Sequence, residues 1–195
     1  MIRISTSGLA VLVLMLGLLV PCSSASAQDM VDNPQYTTWS KQKPESTITY
    51  AMNTEAAGQQ MTGSVVHKLL EVTPEQATVE LKTTVQVMGQ SQTSTTKAVY
   101  KAKVPKADAE ATKLPKNIKG TAKEVGDEKV QVGDKSINCK VIEYEGTMQE
   151  MQNGQAKGKI WRSQEVPGGI VKMQSDISGA TAVKMLMTLQ SMDLK

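Results

Sequence analysis

Phenylalanine is absent from this chain of 195 residues, and the aromatic complement is limited to two Trp and four Tyr. A core must therefore be assembled from Val, Ile, Leu, Ala and the 12 Met, a set that packs adaptably because Met has three soft torsions. Histidine occurs once, as His67 in the run SVVHKLLEV. With no GxSxG elbow and no HExxH pair, a triad on His67 would need Ser and Asp partners from distant segments, and a strand histidine is the simpler reading. A dominant charge is lacking too, since 22 Lys and Arg face 19 Asp and Glu. That balance gives no pull toward nucleic acid, and Tyr100 is the only aromatic among the nearby lysines that could stack on a base.

Cysteine is scarce, with Cys22 and Cys139 alone. Cys22 falls in a targeting pattern: Arg3, an apolar core GLAVLVLMLGLLV too short to span a bilayer comfortably, and small residues at Ala25-Ser26-Ala27. Residues 1–27 are expected to be a signal peptide cleaved after Ala27, which makes the protein periplasmic or secreted. Lipid attachment at Cys22 is the competing expectation, disfavoured because Pro21 stands where a small flexible residue is needed. Cleavage leaves Cys139 without an internal partner, so the fold is expected to do without an internal disulfide.

Residues 28–46 are polar and carry Pro34 and Pro44, and read as an irregular lead-in with Tyr36 and Trp39 as anchors. Residues 47–195 read as a single antiparallel β domain. In ATVELKTTVQV, Val79, Leu81, Thr83, Val85 and Val87 fall on one face and Glu80, Lys82, Thr84 and Gln86 on the other. Similar runs occupy residues 47–52, 64–72, 95–104, 137–144, 158–162, 170–177 and 183–192. Turn formers separate them: Thr73-Pro74-Glu75, Met88-Gly89-Gln90, Gly126-Asp127, Gly133-Asp134, Asn153-Gly154 and Pro167-Gly168-Gly169. Only Ala107 to Leu114, bounded by Pro105 and Pro115, reads as a helix, with about four strands before it and four or five after. The expected fold is mainly β, one curved antiparallel sheet, meander or half-barrel, with one short helix. So small a helix cannot cover some eight strands, so the sheet must curl on itself or leave an apolar groove.

The stretch WRSQEVPGGIVKMQS fits a hairpin corner. Pro167 suits position i+1 of a type II turn, and Gly168 suits i+2, where φ is positive. Trp161 then packs on the sheet. In the functional alternative, Trp161, Arg162 and Glu165 edge a ligand groove. Together with INCKVIEYEG upstream, this stretch resembles uncharacterised exported bacterial proteins in which a Cys-containing strand precedes a Trp strand, a Pro-Gly-Gly turn and a strand beginning Ile-Val-Lys. The close match covers Ile137 to Ser175. The general layout is similar to the LolA-like half-barrels, the periplasmic lipoprotein carriers, and that resemblance implies a curved sheet with helical cover. It carries no functional residues.

A non-enzymatic binding module is the expected function, with a lipid-like or other apolar ligand on the concave face and Val79, Leu81, Val85, Val87 and Trp161 as candidate contacts. The alternative is an envelope structural or interaction protein whose face is closed as a core. Cys139, between Ile137 and Val141, reads as a buried, inert thiol. The pairs Met148/Met151 and Met185/Met187 offer thioethers for Cu(I), but without His or Cys beside them they read as core filler, and no cofactor is expected. Lys97, Lys101, Lys103, Lys106, Lys113, Lys116, Lys119 and Lys123 would meet an anionic envelope surface or simply solvate edge strands.

Overall fold

The computed structural model describes residues 29–87, 89–115, 117–148 and 154–195. The cleavage site, Cys22, Met88, Lys116, Met151 and Asn153 lie outside them. Nine strands form one antiparallel sheet: β2 (Thr47–Ala56), β3 (Gln59–Val72), β4 (Gln76–Val87), β5 (Gln90–Lys101), β7 (Ile118–Val132), β8 (Lys135–Met148), β9 (Gln155–Arg162), β10 (Ile170–Ser178) and β11 (Val183–Asp193). Strands β1 (Met30–Asp32) and β6 (Lys103–Pro105) pair separately, and the two helices are α1 (Pro34–Trp39) and α2 (Lys106–Ala111). The fold is mainly β, as the period-two runs require, and α2 overlaps the segment read as helix, Ala107 to Leu114, starting one residue before it.

The sheet order is β5-β4-β3-β2-β11-β10-β9-β8-β7. Each half is a meander of sequential hairpins, and the halves join where β2 pairs with β11, from Thr47↔Asp193 to Ala56↔Val183. The sheet is curved enough that β7, with three strands between it and β11 in the order, still comes into contact with β11. The edges are β5 and β7.

The main core draws on both halves. Ile48, Tyr50, Leu69, Val79 and Leu189 cluster with Ile137, Cys139, Val141, Trp161, Val166 and Val171. Tyr144, Ile160, Ala156 and Ile118 form a second cluster, packed by Leu114 just beyond α2. Because successive strand residues point to opposite faces, β8 is covered on both sides: Cys139 and Val141 belong to one cluster and Tyr144 to the other. Tyr144 reaches across Gly158, its partner on β9, to hydrogen-bond Ser175 on β10. A Cβ at Gly158 would stand 2.6 Å from the Tyr144 hydroxyl, so glycine there is what lets the phenol lie flat over the sheet.

Three expectations change. The lead-in is not irregular: β1 and α1 occupy it, so the described residues hold two helices rather than one. Asn33 caps α1, its Oδ1 accepting from the Gln35 amide at 3.0 Å, and Pro34 sits at the first turn where its missing N–H costs nothing. The helix inserts Trp39 fully into the main core. Secondly, Gly126-Asp127 is not a turn. It lies inside β7, where the register shifts between Glu124 and Gly126, and Gly126 takes φ 150, a bulge that glycine accommodates. Thirdly, the run 95–104 is broken at Ala102, whose amide bonds Glu75 O at 2.7 Å and whose carbonyl accepts from Asn33, leaving β6 to pair with β1.

Pro167-Gly168-Gly169 turns the corner as expected. The Gly169 amide bonds Val166 O at 2.8 Å, closing a four-residue turn with Gly168 at φ 77. The Gly168 amide also donates to Thr38 Oγ1 at 2.9 Å, which ties the turn to α1.

Candidate functional site

The five residues expected to contact a ligand do not share one environment. Val79 is fully buried in the main core, and Leu81 packs against it. Trp161 is also in that core; its Nε1 donates to Glu128 Oε2 at 2.7 Å, and Lys172 Nζ stands 4.5 Å from the ring centroid. Val85 and Val87 are half-buried further along β4. Val85 ends a row that the register carries across five strands, Met173↔Met187↔Met52↔Gly63↔Val85. Paired residues share a face, so three methionine side chains lie side by side on it, each half-buried, with Met52 leaning over Gly63.

A cleft of about 990 Å³ opens on the other half of the molecule. Its walls are α2 and the residues after it, the outer part of the β7–β8 hairpin, and the loop from β9 to β10. Many of the residues around it are charged, yet its inner surface is mostly carbon, contributed by Ala109, Ile142 and the stems of long side chains. Arg162 and Glu165, two of the three groove residues named from the sequence, line this cleft, whereas Trp161 faces the core.

Arg162 ends β9, opposite Lys140 on β8 and Ile170 on β10. One guanidinium Nη2 donates to the carbonyl of Thr112, the C-cap of α2, where a cation also meets the negative end of the helix. Its Nε is buried and, among the described residues, donates to no group. Burial pushes the guanidinium pKa down, and the ionisable group that bears on it is the Tyr50 phenol. Tyr50 in turn donates to Ile170 O at 2.9 Å, and its own pKa is pushed up by burial.

The remaining candidates are spread over different elements. His67 packs against Tyr50 with ring centroids 5.2 Å apart, and burial pushes its pKa down to about 4. Cys139 is buried, its thiol donating to Ile137 O at 3.5 Å, and burial above all raises its pKa, which is the condition of an inert thiol. Met185 and Met187 share a face of β11. The lysines of residues 97–123 spread over both edge strands and the segment between: Lys97 and Lys101 on β5, Lys119 and Lys123 on β7, with Lys103 paired to Asp32 and Lys113 to Glu110. Sequence reasoning placed Arg162 in a groove only as an alternative, because no local pattern reports which residues α2 brings against it.

The architecture and the cleft define a mainly β protein with one curved sheet and a concavity at the flank of one half. No family model matches the chain, and no curated protein matches it. Among solved structures, it is similar to a protein described as exported, with a YmcC-like fold, from Bacteroides fragilis: 12% identity, 78% of this chain and 97% of that one covered, TM-score 0.46. It is also similar to the hypothetical lipoprotein YmcC of Escherichia coli, at 11% identity over 76% of this chain and 85% of that one, TM-score 0.34. A domain described as an outer membrane lipoprotein-sorting protein, from Vibrio parahaemolyticus, is similar at 10% identity over 77% and 85%, TM-score 0.27.

Proposed function

We propose that this is an exported, non-enzymatic binding protein that holds a lipid-like or other apolar small molecule in the cleft beside α2. The observation that carries the reading is the cleft itself: about 990 Å³ with a largely carbon surface, at the upper end of the range that small-molecule sites occupy. Export rests on the targeting pattern of residues 1–27. In this reading the half-buried row from Met173 to Val85 is a second apolar surface on which a longer ligand, or a second one, would lie. The lysines of residues 97–123 would meet anionic envelope surfaces from the two edges of the sheet.

A closed-core structural or interaction protein is the second reading, favoured by the burial of Val79 and Trp161, two of the five expected contacts. Titration with an environment-sensitive apolar dye separates the two. The binding reading expects saturable binding to the folded protein that drops at least fivefold in Ala109→Trp, a half-buried α2 position whose enlarged side chain fills the cleft, with the unfolding midpoint unchanged. Absence of saturable binding, or binding indifferent to Ala109→Trp, would favour the closed core.

A further inference from the structure

A guanidinium keeps its charge at neutral pH wherever it is placed, and a desolvated one is stabilised by a paired anion. Among the described residues no carboxylate lies within ion-pair distance of Arg162. Of the four acids around the cleft, two are engaged by other groups. Glu110 pairs with Lys113 at 2.5 Å, and Glu128 accepts from Trp161 Nε1. Glu165 and Asp127 line the cleft without pairing with Arg162. The Thr112 carbonyl takes one N–H, which fixes the plane of the guanidinium, and the buried Nε is left with none. This charge sits in the cleft wall two strand positions from Ile160, whose partner on β8, Ile142, also lines the cleft, so a cation and an apolar wall are presented together.

We propose that Arg162 receives the anionic head, a carboxylate or a phosphate monoester, of an amphiphile whose alkyl chain lies along the cleft wall at Ala109 and Ile142. The inference rests on the binding reading above and specifies its ligand class. An oxyanion meeting the planar fork of Arg162 gains charge-assisted hydrogen bonds of fixed direction, strengthened by the carbon surroundings. Lys129, also lining the cleft, adds a flexible cation at the mouth.

The test is calorimetric titration of the purified protein with three ten-carbon probes that share a chain and differ in the head: decanoate, decyl phosphate and decanol. Both anions, or one of them, are expected to bind at least tenfold more tightly than decanol, and the stronger of the two identifies the head. Arg162→Met is expected to bring that anion down to the affinity of decanol, and Arg162→Lys to keep part of the preference. Should Arg162→Met fail to fold, the comparison of heads on the unaltered protein still decides. Equal affinity for decanol and both anions overturns the role of Arg162 while leaving the apolar cleft intact. Failure of all three probes to bind overturns the cleft reading with it.

Discussion

At the scale of single residues, His67 is where the fold should register pH. Its cross-strand neighbours are Ile48 and Leu81, with the Tyr50 ring alongside, and burial holds its pKa at about 4 against an ordinary value of 6.5. The unfolded chain therefore binds a proton that the folded one refuses, so this contribution to stability is full above about pH 6.5 and is lost as pH falls through about 4. Between pH 7.5 and 4.5 the loss is roughly 2–3 kcal/mol from this group alone. His67→Leu should shed that component. Urea midpoints measured at both pH values for the two proteins would check it, and an equal pH dependence in both would contradict it. Arg162 is legible only at this scale too: nothing in WRSQE says that no acid folds back against it, because the absence of a counter-ion is a property of the assembled neighbours.

At the scale of elements, the Pro-Gly-Gly corner is both a turn and a docking point. Gly168 holds φ 77, and a Cβ there would stand 3.3 Å from Trp39 Nε1 while its amide is bonded to Thr38. Gly168→Val should therefore cost about 1–3 kcal/mol, through backbone strain and through loosening of α1. A lowered thermal midpoint with unchanged probe affinity below the transition would be the signature. An unchanged midpoint would mean that the turn tolerates another backbone.

The elements most readable in the sequence are those buried on one side. Strand β4 and the β9–β10 hairpin declare themselves by alternation, since water faces one row of side chains and core the other. Strand β7 escaped because it is an edge, exposed along most of its length, and Gly126 within it looks like a turn until the bulge is seen. Helix α1 escaped because six polar-looking residues bury mainly through Trp39 and Thr38, although Asn33-Pro34 is a proper helix start. The apolar row ending at Val85 was half legible: the face could be read from β4, whereas its methionine partners come from strands about 30 to 100 residues away and need the register to find them. The cleft was less legible still, because its walls come from three separated segments.

At the scale of the whole molecule, the chain builds two meanders and then joins them through its first and last long strands. Every other neighbouring pair in the large sheet is sequential, so both halves can form locally before β2 meets β11, and closing that seam requires the ends of the domain to find each other. The seam has a direction. Chain enters β2 at Thr47 and leaves β11 at Asp193, and these two residues are partners, with the Lys195 amide on Ser46 Oγ at 3.0 Å just outside them. Tension applied at residues 46 and 194, beside the outer ends of β2 and β11, would consequently load the seam one hydrogen bond at a time, as a zip. The same seam gripped at residues 56 and 193 would be loaded in shear, with all its bonds sharing the force. Single-molecule pulling in a Cys139→Ser background, with cysteine handles at 46 and 194 or at 56 and 194, should show a clearly lower rupture force for the first pair. A sheet so arranged is strong along its strands and weak to a pull that parts the adjacent outer ends of β2 and β11.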